Sequence, residues 1–313
     1  MFKLGLSGQL WPLHCKPYND EVLSSWLVRL SRAYGANAKQ FYDDVWPHAD
    51  IWKQDIDKGT DDKFLSMLSA KTATPDSRIL ATTVRGYKGY RSESLKERNR
   101  APWLLRPSVH AFTRRKPWLQ YCPHCLQTDI DPYFRGYWRL AFITVCSEHH
   151  RCLLDRCDNC GAVVNFHLLP GDAEAITLCH RCRYDLRLAS APAMDESTEY
   201  ERLLQLQRFF LATMRNGSCQ LGGLLAMPGA PFFDRLHERM QLFLTMMPAP
   251  VFKEAFGEYL DASFFDSHLA SVPDRSLEGF GVEDRLLFML FMSWWFDQQP
   301  ERLIALCPDV IRR

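Results

Sequence analysis

The residues most able to do chemistry in this 313-residue chain are its cysteines, and eight ligand-type side chains fall into ordered pairs. Cys122 and Cys125 form a C-x2-C pair, followed by a C-x2-H pair at Cys146 and His149; Cys157 and Cys160 form another C-x2-C, followed by Cys179 and Cys182. A C-x2-C knuckle turns two thiolates toward one ion, and a loop of this length brings a second pair round to complete a tetrahedron, so the spacing predicts two zinc ions per chain. His150 stands beside His149 and offers an alternative fourth ligand in the first set. His124 and His180 sit inside knuckles and are not expected to ligate; Cys152 reads as a spare thiol between the sets, and Cys15, Cys219 and Cys307 as small buried hydrophobes. Shells of four thiolates, or of three thiolates and one imidazole, leave no open position for water, so both zincs read as structural. GxSxG, Walker A and HExxH patterns are absent from the sequence, and an enzyme is not expected.

The elements that must hold these pairs are legible in part. In the second set, AVVNFHLL (162–169) predicts a strand, Pro170-Gly171-Asp172 a turn and AITL (175–178) a returning strand, which together make a zinc ribbon. Before the cysteines the pattern is helical. Asp20 is placed to cap a helix carrying Val22, Leu23, Trp26, Leu27, Leu30 and Tyr34, with Gly35 as its left-handed stop, and a short helix over 38–46 ends at Pro47. Asp61 and Asp62 suit the start of a helix bearing Phe64, Leu65 and Leu68, while Thr74 and Pro75 suit the N-cap and first turn of one bearing Ile79, Leu80 and Val84. This pair, over 61–84, has the form of a helix-turn-helix unit. After the cysteines, helical patterns return around Tyr200 to Phe210, Phe233 to Met247, Phe252 to Leu260 and Glu283 to Asp297. The expected fold is therefore mainly α with small β zinc ribbons. Its four segments are a helical N-terminal region (1–84), a basic connector (85–120), a tandem zinc module (121–190) and an acidic helical C-terminal domain (191–313).

Charge separates these segments although the chain as a whole carries only +1. Residues 85–116 hold 10 basic and 2 acidic side chains, whereas 191–313 hold 11 basic and 17 acidic ones. The basic stretch, interrupted by Gly86, Gly89, Pro102 and Pro107, suggests a surface that meets a polyanion through Arg85, Lys88, Arg91, Arg98, Arg100, Arg114, Arg115 and Lys116. Tyr87, Tyr90, Trp103, Phe112 and Trp118 lie among these residues and would either stack on bases or, as is commoner, anchor the stretch to the core. Tyr133, Trp138 and Arg139 invite the same question, with packing around the metal module the favoured reading. The acidic end suggests a protein-docking and self-associating unit. Its helix around Leu286 to Phe296 is apolar on nearly every side and must be buried in a core or against another chain. That run is too short to cross a bilayer, and the first residues lack the apolar core of a secretory signal, so a cytoplasmic protein, nucleoid-associated when on DNA, is expected.

Taken in order, CPHCL (122–126), YFRGYWRL (133–140), CSEHHRCLL (146–154), CDNCG (157–161) and CHRC (179–182) resemble the TniQ family, and DEVLSSWLVRLSRAYG (20–35) followed by LSAKTATPDSRILATTV (68–84) is similar to that family's opening. The resemblance covers about residues 10–190. It implies a protein that chooses the target site of a transposon, by binding a DNA sequence or by docking on a CRISPR RNA-guided complex, and that recruits an AAA+ ATPase regulator which calls in the transposase. It also implies zinc on the two four-residue sets named above. A second copy of the chain would be a further partner. Two other classes compete with this reading: a zinc-containing, sequence-specific transcription regulator using the same helix pair and basic stretch, and a zinc-dependent nucleic-acid enzyme, which would need an open metal site.

Overall fold

A computed structural model describes residues 10–47, 51–59, 61–90, 102–107, 109–110, 113–114, 116–221, 224–246 and 276–298. The described residues are mainly helical. The helices are α1 (Leu23–Ala33), α2 (Ala38–Val45), α3 (Asp62–Thr72), α4 (Asp76–Ala81), α5 (Pro123–Thr128), α6 (Thr198–Asn216), α7 (Gly229–Met246) and α8 (Val282–Gln298). Strands are short antiparallel pairs: β1 (Val109–His110) with β2 (Thr113–Arg114), β3 (Val145–Cys146) with β4 (Arg151–Cys152), and β5 (Ser218–Leu221) with β6 (Leu224–Pro228). The chain forms two compact units, one from Met1–Gly86, Arg106–Arg139 and Leu154–Ala191, the other from Tyr87–Leu105, Leu140–Leu153 and Pro192–Arg313.

In the first unit, the apolar spacing of α1 puts Leu23, Trp26, Leu27 and Leu30 fully inside, and Gly35, at φ +64°, closes the helix with its N–H on the Arg32 carbonyl. The start of α1 differs from the expectation. Val22 is the N-cap, without a side-chain bond, and Asp20 adopts a left-handed backbone (φ 60°). The acidic side chain that organises this end is Glu21, which turns inward and accepts from the Tyr18 N–H (2.9 Å), the Ser25 hydroxyl (2.8 Å) and Arg29 (2.7 Å). Burial pushes its carboxyl up to about 7. Asn37 and Asp61 cap α2 and α3 with their side chains, and Pro75 is the N-cap of α4, one position earlier than its expected place in the first turn.

The expected strand over 162–169 is not formed. Pairing in the second cysteine set is limited to the single bridges Arg156–Val163 and Leu178–Asp185, and Phe166–Leu168 make a 3-10 turn. The cause is tertiary, because the apolar side chains of this stretch serve the helical core instead of a ribbon's own faces. Phe166 stacks on Phe134 at 4.6 Å, His167 stacks on Trp52 at 5.1 Å, and the Val164 carbonyl accepts from the Trp118 indole at 2.7 Å. Gly171 lies so close to the α1–α2 turn that a Cβ there would meet the Gly35 carbonyl oxygen at 2.4 Å.

Arg139 lies at the centre of this unit with 0% exposure, forked onto Asp55 (2.9 and 2.7 Å) and bonded to Asp57 (2.8 Å), with Trp118 beneath its guanidinium at 4.9 Å. Asp57 also accepts from the Ser24 N–H and hydroxyl at 2.7 and 2.9 Å. A buried charge is tolerated only when paired and hydrogen-bonded in this way. Trp138 and Arg139 are thus packing residues, as the favoured reading had it.

The second unit is built on aromatic contacts. Trp103, 1% exposed, meets Phe142, Phe210 and Phe233 at ring-centroid distances of 6.1, 6.2 and 6.3 Å, and its indole donates to the Phe233 carbonyl. Trp103 and Trp118 therefore anchor their stretch to core, which closes their ring faces to bases. Helix α8 packs along α6, burying Phe288, Met289, Phe291, Met292 and Phe296 within its own unit, and Arg202 on α6 pairs with Asp297 at 2.9 Å. The expected helix over 252–260 lies outside the described residues.

Candidate metal centres

The second cysteine set makes the same turn twice. At Cys157 the carbonyl accepts from the Gly161 N–H (2.9 Å) while the Cys157 N–H donates to the Ala162 carbonyl (2.8 Å). At Cys179 the carbonyl accepts from the Arg183 N–H (2.9 Å) while the Cys179 N–H donates to the Tyr184 carbonyl (2.8 Å). Each turn passes through a left-handed residue one place after its second cysteine, Gly161 at φ +67° and Arg183 at φ +66°. That pivot reverses the chain and leaves both thiols of a knuckle on one side.

The ligand atoms of Cys157, Cys160, Cys179 and Cys182 all lie within 4.8 Å of one another, as do those of Cys122, Cys125, Cys146 and His149. Cys157 and Cys182 sulfurs are 3.6 Å apart, and so are those of Cys160 and Cys179. A disulfide needs about 2.05 Å; a tetrahedral zinc with Zn–S near 2.3 Å sets its sulfurs about 3.8 Å apart. The separations thus fit a metal and not a cross-link, and both sets are compatible with one zinc ion each. The protein also favours charge on one of these thiols. The Asn159 side chain, hydrogen-bonded to Cys182, holds that thiol below the usual range, whereas burial pushes Cys157 up.

The first set uses two other backbones. Cys122 is the N-cap of α5 with Pro123 in the first turn, and its carbonyl accepts from Leu126, so this knuckle runs straight into a helix. Cys146 ends β3, and its carbonyl accepts from the His150 N–H at 3.0 Å, with His150 in the left-handed region at φ 52°. This geometry decides between the two histidines. His149 brings Nδ1 to 3.6 Å from the Cys146 sulfur, close to the separation of about 3.5 Å expected across a shared zinc. His150 serves as the pivot, exposed, with its ring 5.7 Å from Tyr200. Neither His124 nor His180 joins a set. Cys15 and Cys152 are half-buried thiols and Cys219 is buried, while Cys307 lies outside the described residues.

The basic residues expected to meet nucleic acid are only partly described. Arg85 is exposed and paired with Asp62 at 2.6 Å; Lys88 and Lys116 are exposed. Arg91, Arg98, Arg100 and Arg115 lie outside the described residues, and Arg114 is placed in β2 by its backbone. What spacing alone did not single out are Arg183 and the thiol partner Asn159, and the pivot role of His150, which it had offered as a ligand. A signal existed for the pivots, since each occupies the place that Gly161 fills after CDNC. Among the described residues, no helix is long and apolar enough to cross a membrane.

No curated protein matches this sequence. A family model, TniQ, matches residues 12–154, a span that takes in α1 to α5 and the whole of the first cysteine–histidine set. By that match the chain carries a TniQ domain over residues 12–154.

Proposed function

We propose that this chain is a non-enzymatic target-selection adaptor of a transposition system, linking target DNA, read directly or through an RNA-guided CRISPR complex, to the AAA+ ATPase regulator that recruits the transposase. The observation that carries the reading is the TniQ domain over residues 12–154, which implies a part in transposon target selection in general. Two cysteine-rich sets with four protein ligands available to each ion support a scaffold over an enzyme, because a filled shell gives water no place to be activated. Zinc on Cys122, Cys125, Cys146 and His149 and on Cys157, Cys160, Cys179 and Cys182 would stiffen the module between a nucleic-acid-facing region and a protein-facing one.

In this reading the helices of 1–84, with their helix-turn-helix-like pair, and the basic connector of 85–120 face the nucleic acid, and the acidic segment of 191–313 faces protein, including a second copy of the chain. Phosphate neutralisation by Arg85, Lys88, Arg91, Arg98, Arg100, Arg114, Arg115 and Lys116 would release counterions, so affinity should fall steeply with salt. Arg85 has an acidic partner in Asp62, and the test is placed on the 114–116 triplet, three consecutive basic residues in the sequence. The variant carrying Arg114→Glu, Arg115→Glu and Lys116→Glu should bind DNA or the guide complex more weakly and with a shallower salt slope. In a transposition assay with the cognate ATPase and transposase, omitting this chain should abolish insertion at the selected site. Site-directed insertion that persists without the chain would overturn the proposal.

A further inference from the structure

Three arginines of the first unit end on carboxylates: Arg29 on Glu21 at 2.7 Å, Arg135 on Asp129 at 2.8 Å, and Arg139 on Asp55 and Asp57 at 2.7 and 2.8 Å. Arg32, in the last turn of α1, does not. It is half-buried, its Nη1 is shut off from solvent, and no acceptor among the described residues bonds to that atom. The charge that acts on Arg32 is a second cation: burial pulls its pKa down, and so does the neighbouring Arg183. Arg183 is itself exposed and has no ion-pair partner among the described residues.

Both arginines stand on backbone that is held in place. At the end of α1 the Gly35 N–H donates to the Arg32 carbonyl at 2.8 Å and the Ala36 N–H to the Ser31 carbonyl at 3.1 Å. The turn that follows is docked on the second cysteine set, with the Asn37 side chain donating to the Leu169 carbonyl at 3.1 Å and Gly171 packed against the Gly35 carbonyl. On the other side, Arg183 is the left-handed pivot of the second knuckle, its N–H on the Cys179 carbonyl at 2.9 Å. The fold thus brings two cations together and gives one of them a buried donor with nothing to bond. Burying an unpaired charged donor is costly, and a nearby like charge adds to the cost. A zinc ion in four thiolates leaves two negative charges on the knuckle, which can offset Arg183 but supply no acceptor to Nη1 of Arg32.

We propose that Arg32 and Arg183 form a binding site for a phosphate group, at the joint between the end of α1 and the second knuckle of the second cysteine set. A phosphate oxygen accepts from Nη1 of Arg32, and the charge of the group turns one repulsion into two attractions. The chemistry is the same for a free phosphate or pyrophosphate ion and for a phosphate of a nucleic-acid backbone. Neither arginine belongs to the basic stretch of 85–116, and the site stands or falls independently of the adaptor reading.

The test uses the full-length, zinc-loaded protein in phosphate-free buffer with Arg32→Gln and Arg183→Gln. The control is Arg187→Gln, which removes the same charge from the same cysteine set but from a guanidinium already held by Asp185 at 2.6 Å. Titration with pyrophosphate, against chloride at equal ionic strength, should show one site per chain and a raised melting temperature in the parent. Each of the two test variants should bind about tenfold more weakly, the loss of one charge-assisted hydrogen bond, and Arg187→Gln should bind as the parent does. Without phosphate, Arg32→Gln should keep its zinc and melt no lower than the parent, because it loses a repulsion and an unpaired donor. With a DNA duplex, a salt slope smaller by about one in both variants assigns the site to backbone phosphate, whereas unchanged duplex binding beside weakened pyrophosphate binding assigns it to the free ion. Pyrophosphate and duplex bound alike by parent and variants would overturn the proposal, as would a parent that ignores pyrophosphate while duplex binding is unchanged in the variants. Loss of zinc from Arg32→Gln would assign that arginine to the metal centre and also overturn it.

Discussion

At Cys157 and Cys179 a C-x2-C pair reverses the chain through a left-handed pivot, whereas at Cys122 the same spacing opens a helix. The two cysteine-rich sets differ in depth as well. Cys122, Cys125 and Cys146 are buried and His149 is partly so, while in the second set buried and half-buried cysteines alternate. Ligand spacing thus fixes how many donors reach the ion and leaves the path of the backbone open. What decides the path is the residue that directly follows a ligand, the first ligand at Cys122 and the second in the other three pairs. Pro123 sets a helical φ at the first turn of α5, and Gly161, Arg183 and His150 supply left-handed turns elsewhere.

The comparison breaks most severely when a ligand is removed. Cys182→Ser should cost the second set its zinc and unfold its loops, because ion binding and loop ordering are one event worth about 10 kcal/mol or more in small zinc modules. His149→Ala should do the same to the first set, while His150→Asn keeps both ions. Elemental analysis of tag-free protein should therefore read one zinc per chain for the first two variants and two for the third; a parent without zinc would end the assignment. A smaller effect is expected at the pivots. Gly161→Ala places a Cβ in the left-handed region and should lower the stability of the second set by about 1 kcal/mol, seen as faster zinc release to a chelator. The smallest change should be a gain. Arg183→Gly relieves the same strain at φ +66° and, after the added entropy of glycine in the unfolded chain, should slow release by a modest factor. Equal release rates in Gly161→Ala and the parent would show that the pivots are not strained.

The sequence made the ligand sets readable because four donors at short spacings have few other uses, and it made α1 readable because Leu23, Trp26, Leu27 and Leu30 recur at helical intervals. It could not decide between His149 and His150, which differ only in which one the Cys146 turn uses as its pivot. Asp20 looked like a cap because type and position suited one, yet the neighbouring Glu21 is the residue with an inward partner, Arg29, eight positions on. AVVNFHLL reads as a strand by local preference, but Phe166 and His167 answer to Phe134 and Trp52, far away in the chain. The pairing of Arg139 with Asp55 and Asp57 spans more than 80 residues and has no local signature at all.

That last contact also orders events during synthesis. Asp57 leaves the ribosome long before Arg139, and until the arginine follows, the Ser24–Asp57 contact at the heart of the N-terminal helices would enclose an anion with no countercharge. The helices up to Ala81 are therefore expected to remain loosely associated on the nascent chain and to close only when residues 136–139 arrive. Since the Cys122 and Cys125 thiols emerge in between, metal can reach the first knuckle before the core beside it is dry. Ribosome-bound chains arrested before and after Arg139 should differ sharply in protease resistance over residues 23–81.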